Sequence, residues 1–357
     1  MAAEELSDAG MADIIRALEV IHSPTSSNEL RKQALTFVES LKDNDAAARN
    51  GFLLASRTDH APVVRYFGLT LLDHVLRHLP FTDSENAVNI RSMILQLAEN
   101  IRVEEPSYFR NKIPQLWSEA AKKSWGLDWM DMDASLVKFW GSSLVHNELV
   151  LSVLETLSED VFFREDTVSS LRGSELNRAL VEIFTPAAIV EQINPDKNNN
   201  LMRCGEEGWL VRICEFLDNC IQNVSSSSQA RDAAIKALTT LRSALSWSIY
   251  KAVVASQVVS SIFRALTCQD DQVLLVRSVV LTQYIGIWRL KTSNIGCSRG
   301  FTFSLRKKQH GQRRLTRSRL SHLRARVSQY PAKPIPVVYR ATRRCRRAEV
   351  SDFQEAI

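Results

Sequence analysis

Between Pro62 and Pro80 runs VVRYFGLTLLDHVLRH (Val63–His78), a segment whose apolar width restricts the possible folds more than any other feature of the chain. At 100° per residue, Val64, Phe67, Gly68, Leu69, Leu71, Leu72, Val75, Leu76 and Leu79 cover an arc of roughly 200°. Tyr66, Thr70, Asp73, His74 and Arg77 fill the remainder. An amphipathic surface helix needs an apolar stripe of only about 100°, so a helix with twice that width touches neighbours on two sides, as in a stack. Asp73 and Arg77, four residues apart and of opposite charge, read as a solvated face.

The other segments up to about residue 285 repeat this pattern. Helices are expected at Ala12–His22, Asn28–Leu41, Ala46–Arg57, Pro62–Leu79, Ser84–Val103, Tyr108–Lys123 and Ala134–Thr156. Further helices are expected at Ser174–Ile193, Glu206–Asn223, Ser228–Leu245, Ser248–Leu266 and Asp270–Tyr284. Ser27 or Asn28 suits a helix N-cap, and Pro62 suits a first turn. On the second helix, Leu30, Ala34, Leu35, Phe37, Val38 and Leu41 are assigned to one apolar side. No apolar–polar alternation bounded by hairpin turns occurs, and glycine and proline number only 12 and 10 in 357 residues. The expected class is all-α: an α-solenoid of HEAT-like antiparallel helix pairs, with a single globular bundle as the structural rival. No fixed sequence period marks tetratricopeptide or ankyrin units. Asn194–Gly208 reads as a long polar loop.

Signs of catalysis are missing. There is no phosphate-binding G-x-x-x-x-G-K-[ST] or G-x-G-x-x-G loop and no G-x-S-x-G elbow. His74 and His78 share i,i+4 spacing, but a cation, Arg77, stands between them, and zinc pairs usually carry a glutamate and a third ligand. Asp128, Asp131 and Asp133 lack the glycine turn and distal glutamate of a calcium loop and fit better as favourable charges near a helix start. No enzyme activity, cofactor or metal is expected. LVLSVLETL (Leu149–Leu157) reads as the buried face of a helix. The six cysteines form no C-x-x-C pair and read as reduced, buried thiols. Met1–Met11 is too polar and acidic for a signal peptide. No uncharged run approaches the ~18–20 residues of a membrane span, so no membrane insertion is expected.

The net charge of +5 hides a split. Residues 286–357 hold 18 Lys+Arg against 3 Asp+Glu (+15), leaving 27 against 37 (−10) in residues 1–285. The boundaries expected are therefore 1–105 and 106–285 for two helical-repeat regions and 286–357 for a largely disordered, arginine-rich tail. LRKKQHGQRRLTRSRLSHLRARV (Leu305–Val327) is the strongest basic run. Arg306, Lys307, Lys308, Arg313 and Arg314 are its candidates for binding nucleic-acid phosphates or for a nuclear localisation signal. No aromatic platform interleaves with those arginines. The sudden loss of helical patterning near residue 285 resembles a changed reading frame, an unspliced intron or a faulty gene model, set against a genuine tail.

Three stretches together resemble a known family. VVRYFGLTLLDHVLRH resembles the second repeat of importin-β-like transport receptors. KKSWGLDWMDMD (Lys122–Asp133) and LSEDVFF (Leu157–Phe163) look like the exportin-five branch of that superfamily, over about residues 10–280. Gly126 departs from the pattern, because many members have proline there. The resemblance implies a monomeric transport receptor that shuttles between nucleus and cytoplasm. It implies binding to the small GTPase Ran in its GTP form, to Phe-Gly repeats of the nuclear pore, and to export cargo. The cargo implied is a phosphoprotein, as for fungal members, or structured RNA, as for animal ones. By order of helices, 62–79 would be the outer and 84–103 the inner member of one pair. Arg91 would then face Ran, with Lys122 and Lys123 as weaker candidates.

Overall fold

The computed structural model describes residues 8–78, 84–163, 168, 171–193, 202–265, 268, 270–276 and 278–282. Within them every regular element is helical, apart from an isolated bridge between Trp125 and Trp129. The helices are α1 (Asp8–His22), α2 (Asn28–Ser40), α3 (Ala47–Ser56), α4 (Pro62–His78), α5 (Ser84–Glu99), α6 (Ser107–Ser124) and α7 (Met132–Phe139). They continue with α8 (Leu144–Phe162), α9 (Gly173–Phe184), α10 (Ala187–Ile193), α11 (Trp209–Asn223), α12 (Ser228–Leu245), α13 (Tyr250–Ala255) and α14 (Val258–Arg264).

Local chemistry sets many of these starts. The hydroxyls of Ser27, Ser143 and Ser227 accept from the backbone N–H three residues on, at Leu30, His146 and Ala230. Each satisfies one donor that a helix start leaves without an intrahelical partner.

Packing then sorts the helices into neighbours. α1 packs with α2, α3 with α4, α5 with α6, α7 with α8 and α11 with α12. The second members also pack on one another in sequence: α4 on α6, α6 on α8, and α8 on α12. α9 rests on α8 and α11, and α14 on α11. This is the order of an all-α solenoid, in which each pair touches its neighbours. It corrects the expected pairing of 62–79 with 84–103, because α4 packs chiefly on the preceding α3 and on α6.

The tightest crossing is α3 on α4. A Cβ on Gly68 would lie 2.4 Å from the carbonyl oxygen of Gly51, and one on Gly51 would lie 2.6 Å from that of Gly68. The two glycines let the backbones meet, and Leu54, Leu69, Leu71, Leu72 and Leu76 close over the crossing with no exposure. A cluster of Met11, Ile14, Leu18, Ala34, Val38, Leu54, Val64 and Leu71 ties α1 and α2 to it.

Three expected helices are each broken in two. Ala134–Thr156 divides at Trp140, whose backbone turns extended (ψ 125°), and the second part runs on to Phe162. Ser174–Ile193 divides at Thr185–Pro186, since Pro186 has no N–H to continue the helix. Ser248–Leu266 divides at Ser256–Gln257, with Gln257 left-handed (φ 53°). On α2 the expected single apolar side is also divided: Ala34 and Val38 are buried, while Leu30, Leu35 and Phe37 are exposed. Gly126 takes φ +79°, a value closed to proline, whose ring holds φ near −65°. The turn after Trp125 is therefore built differently from a proline turn.

Candidate interaction surface

The stacked helices α4, α6, α8 and α12 are joined side to side by ion pairs. Asp73 on α4 meets Lys112 on α6 at 2.9 Å, and Arg77 on α4 meets Glu119 on α6 at 2.8 Å. Lys122 on α6 lies 3.0 Å from Glu119 and 2.9 Å from Asp160 on α8. Glu155 on α8 accepts from Lys236 on α12 at 2.6 Å. The Asp73–Arg77 pair expected from spacing is present at 3.1 Å. The arc read as solvated is in fact turned toward α6, where the side chain of Asp73 keeps 19% exposure.

Lys122 is the deepest of these charges at 2% exposure, with Glu119 at 6% and Asp160 at 4%. Burial works against its ammonium. The hydrogen bond to Asp160 and the charges of Glu119 and Asp160 outweigh burial and hold its pKa above the ordinary lysine value. For Lys123 burial prevails, helped by the charge of Lys122, and the pKa is lowered. Arg172 supports the same corner: it donates to the carbonyls of Lys122 (2.8 Å) and Trp125 (2.6 Å), at the C-terminus of α6 where acceptors lack helical donors.

The candidate contact residues therefore differ in availability. Arg91, at 8% exposure, donates to the Asp128 carbonyl at 2.7 Å, and its guanidinium lies 5.5 Å from the Trp129 ring centre. It braces the α6–α7 turn. Lys122 is held inside the ion-pair row. Lys123 is half-buried and the most exposed of the three. Arg306, Lys307, Lys308, Arg313 and Arg314, with the whole of 286–357, lie outside the described residues.

His74 and His78 face each other with ring centres 4.5 Å apart, and His74 Nε2 lies 3.7 Å from Asp43. No group of three or more His, Cys, Asp or Glu suited to a metal occurs among the described residues. Asp133 does more than face a helix start. It is 1% exposed and accepts from Trp209 Nε1 (2.5 Å) and the Cys204 backbone N–H (2.6 Å). Burial raises its pKa, while those two hydrogen bonds and Arg212 work the other way. LVLSVLETL is buried as expected, with Leu149, Val150, Leu151, Val153, Leu154 and Leu157 at 3% exposure or less. Cys214 and Cys220 are buried thiols, pushed by burial up to about 12 and about 11. No helix among the described residues is long and apolar enough to cross a membrane.

Arg65 was not foreseen. From inside α4 it donates to both carboxylate oxygens of Glu105 (2.7 and 2.8 Å) and to the Ala55 carbonyl (3.0 Å), and it covers the Phe109 ring at 4.4 Å. Its main partner is 40 residues away, so no local spacing announces it. An open groove of about 270 Å³ also crosses α6, α8 and α12, bordered by Arg110, Pro114, Glu148 and Asp232.

Paired helices in sequential contact, joined by ion pairs and carrying an open groove, define a helical-repeat scaffold of the kind that binds other macromolecules. Comparison with known proteins gives the family. Residues 106–191 match the exportin 1-like protein family. Over 293 residues the chain is 28% identical to protein MSN5 of Saccharomyces cerevisiae, covering 77% of this chain and 23% of that protein. It is 27% identical over 175 residues to Exportin-5 of Mus musculus, covering 48% of this chain and 14% of that one. Exportin-5 of Dictyostelium discoideum is 25% identical over 170 residues, covering 47% and 15%. The resemblance to the exportin-five branch is borne out: the helical part of this chain is exportin-like. The chain spans less than a quarter of the length of the curated relatives it matches.

Proposed function

We propose that this chain is a segment of a nuclear export receptor that binds Ran in its GTP form together with cargo, and that it moves between nucleus and cytoplasm. The observation that carries this reading is the exportin 1-like match at residues 106–191. That stretch supplies α6 and α8, the middle of the stacked row. Cargo of the phosphoprotein or structured-RNA class, and Phe-Gly repeats of the pore, belong to the same reading. The segment acts as a scaffold without catalysis. Lys123 is the preferred Ran-facing candidate, because Arg91 and Lys122 already engage internal partners.

The test is biolayer interferometry of the full chain against immobilised Ran loaded with GTP or GDP. The expected result is a preference for the GTP form that Lys123→Glu reduces several-fold. Equal binding to both forms would overturn the reading for this chain.

A further inference from the structure

The groove across α6, α8 and α12 carries acceptors with unused capacity. Glu148 takes one long hydrogen bond from Arg110 Nη1, at 3.4 Å, whereas a carboxylate offers about four acceptor sites. Asp232 lines the same groove and pairs with its neighbour Arg231 at 3.3 Å. Burial raises the pKa of Glu148, Arg110 lowers it, and the charge of Asp232 raises it further. Pro114, also on the groove, has no N–H to give the carbonyl of Arg110 one turn earlier.

The charges around the groove do not cancel. Arg110, Arg231 and Lys236 face Glu148, Glu155, Asp232 and Asp270 through the pairs they form, leaving one negative charge. The rest of the wall is apolar, with Ile101, Val145, Leu149 and Ile235. An apolar wall beside unfilled acceptors suits a side chain with an alkyl stem and a cationic, donor-rich head. Of the two such side chains, arginine presents a planar fork that two carboxylates can hold at once.

We propose that this groove binds an arginine side chain of a partner polypeptide, with the stem against Val145 and Ile235 and the guanidinium on Glu148 and Asp232. This site stands on the groove itself and does not depend on the Ran reading.

The experiment is isothermal titration of the full chain with a Gly-Ser peptide carrying one central arginine. The comparison peptide carries citrulline, which keeps the shape and loses the charge. The arginine peptide should bind at least tenfold more tightly. The double variant Glu148→Gln/Asp232→Asn should remove that difference. Ser152→Trp, which fills the groove without changing its charge, should abolish binding of the arginine peptide while circular dichroism stays that of the wild type. Equal affinity for the two peptides, or a preference that survives in either variant, would overturn the proposal. A binding signal that disappears alike for wild type and both variants at 150 mM salt would overturn it too, since it would report net charge alone.

Discussion

Lys122 shows how much one side chain can hold in a stacked array. It joins α6 to α8 with under a tenth of any participating side chain exposed. Removing one partner of such a group leaves the other charges buried without compensation, a loss of about 3–5 kcal/mol. Lys122→Met should therefore destabilise the protein by that amount, measured as a fall in the urea midpoint. The pH dependence has a definite sign. The folded-state pKa is raised, so the stabilisation is fully present below the unfolded lysine value of about 10.4. It is lost as pH rises through the higher folded value, and the Met variant should lack that alkaline loss. At the α3–α4 crossing the governing contact is steric. Gly68→Ala drives a methyl into the Gly51 carbonyl, where overpacking costs about 1–3 kcal/mol or more. Gly68→Ala should lower Tm by several degrees, and a Tm equal to wild type would show that the crossing can open freely.

At the scale of helices, the sequence was legible wherever apolar residues recur at 3.6-residue spacing over a long run. α4, α6, α11 and α12 lie within a residue or a few of their expected limits. The breaks were hidden for a physical reason: apolar patterning continues across Trp140, Pro186 and Gln257, because both halves bury residues in the same core. Trp140 meets Trp209 edge-on with ring centres 5.3 Å apart, a contact across 69 positions that no local window contains. The charged surface was less legible for the same reason. Spacing reveals Asp73–Arg77 within one helix, but the partners of Lys122, Arg65 and Lys236 lie 38, 40 and 81 positions away. Gln257 carries a local cost of its own, since a left-handed backbone is unfavourable for a residue with a Cβ by roughly 1–2 kcal/mol. Gln257→Gly should raise stability by up to about 1 kcal/mol once the entropy of glycine is set against that relief. A guanidinium chloride titration checks it, and a drop in midpoint would mean that the side chain contributes more than the strain removes.

For the molecule as a whole, sequential contact between pairs decides how it should respond to loss of an end. α1 and α2 pack on each other and on Leu54, Val64 and Leu71. The α6–α8–α12 row and its ion pairs are formed without them. In a globular bundle, removing two helices would open the single core and unfold the chain. In an array whose stability is a sum of repeat and neighbour terms, the loss stays local. Deleting residues 1–41 should expose the outer sides of Leu54, Val64 and Leu71 and weaken α3 and α4, while the pairs from α6 onward remain folded. The predicted observation is hydrogen exchange that quickens across α3 and α4 but keeps wild-type protection in α8 and α12. Far-UV ellipticity should fall by no more than the share of helix removed. Loss of protection throughout α8 and α12 would instead mean that the stack unfolds as one cooperative unit, and the neighbour-by-neighbour account of its stability would have to be abandoned.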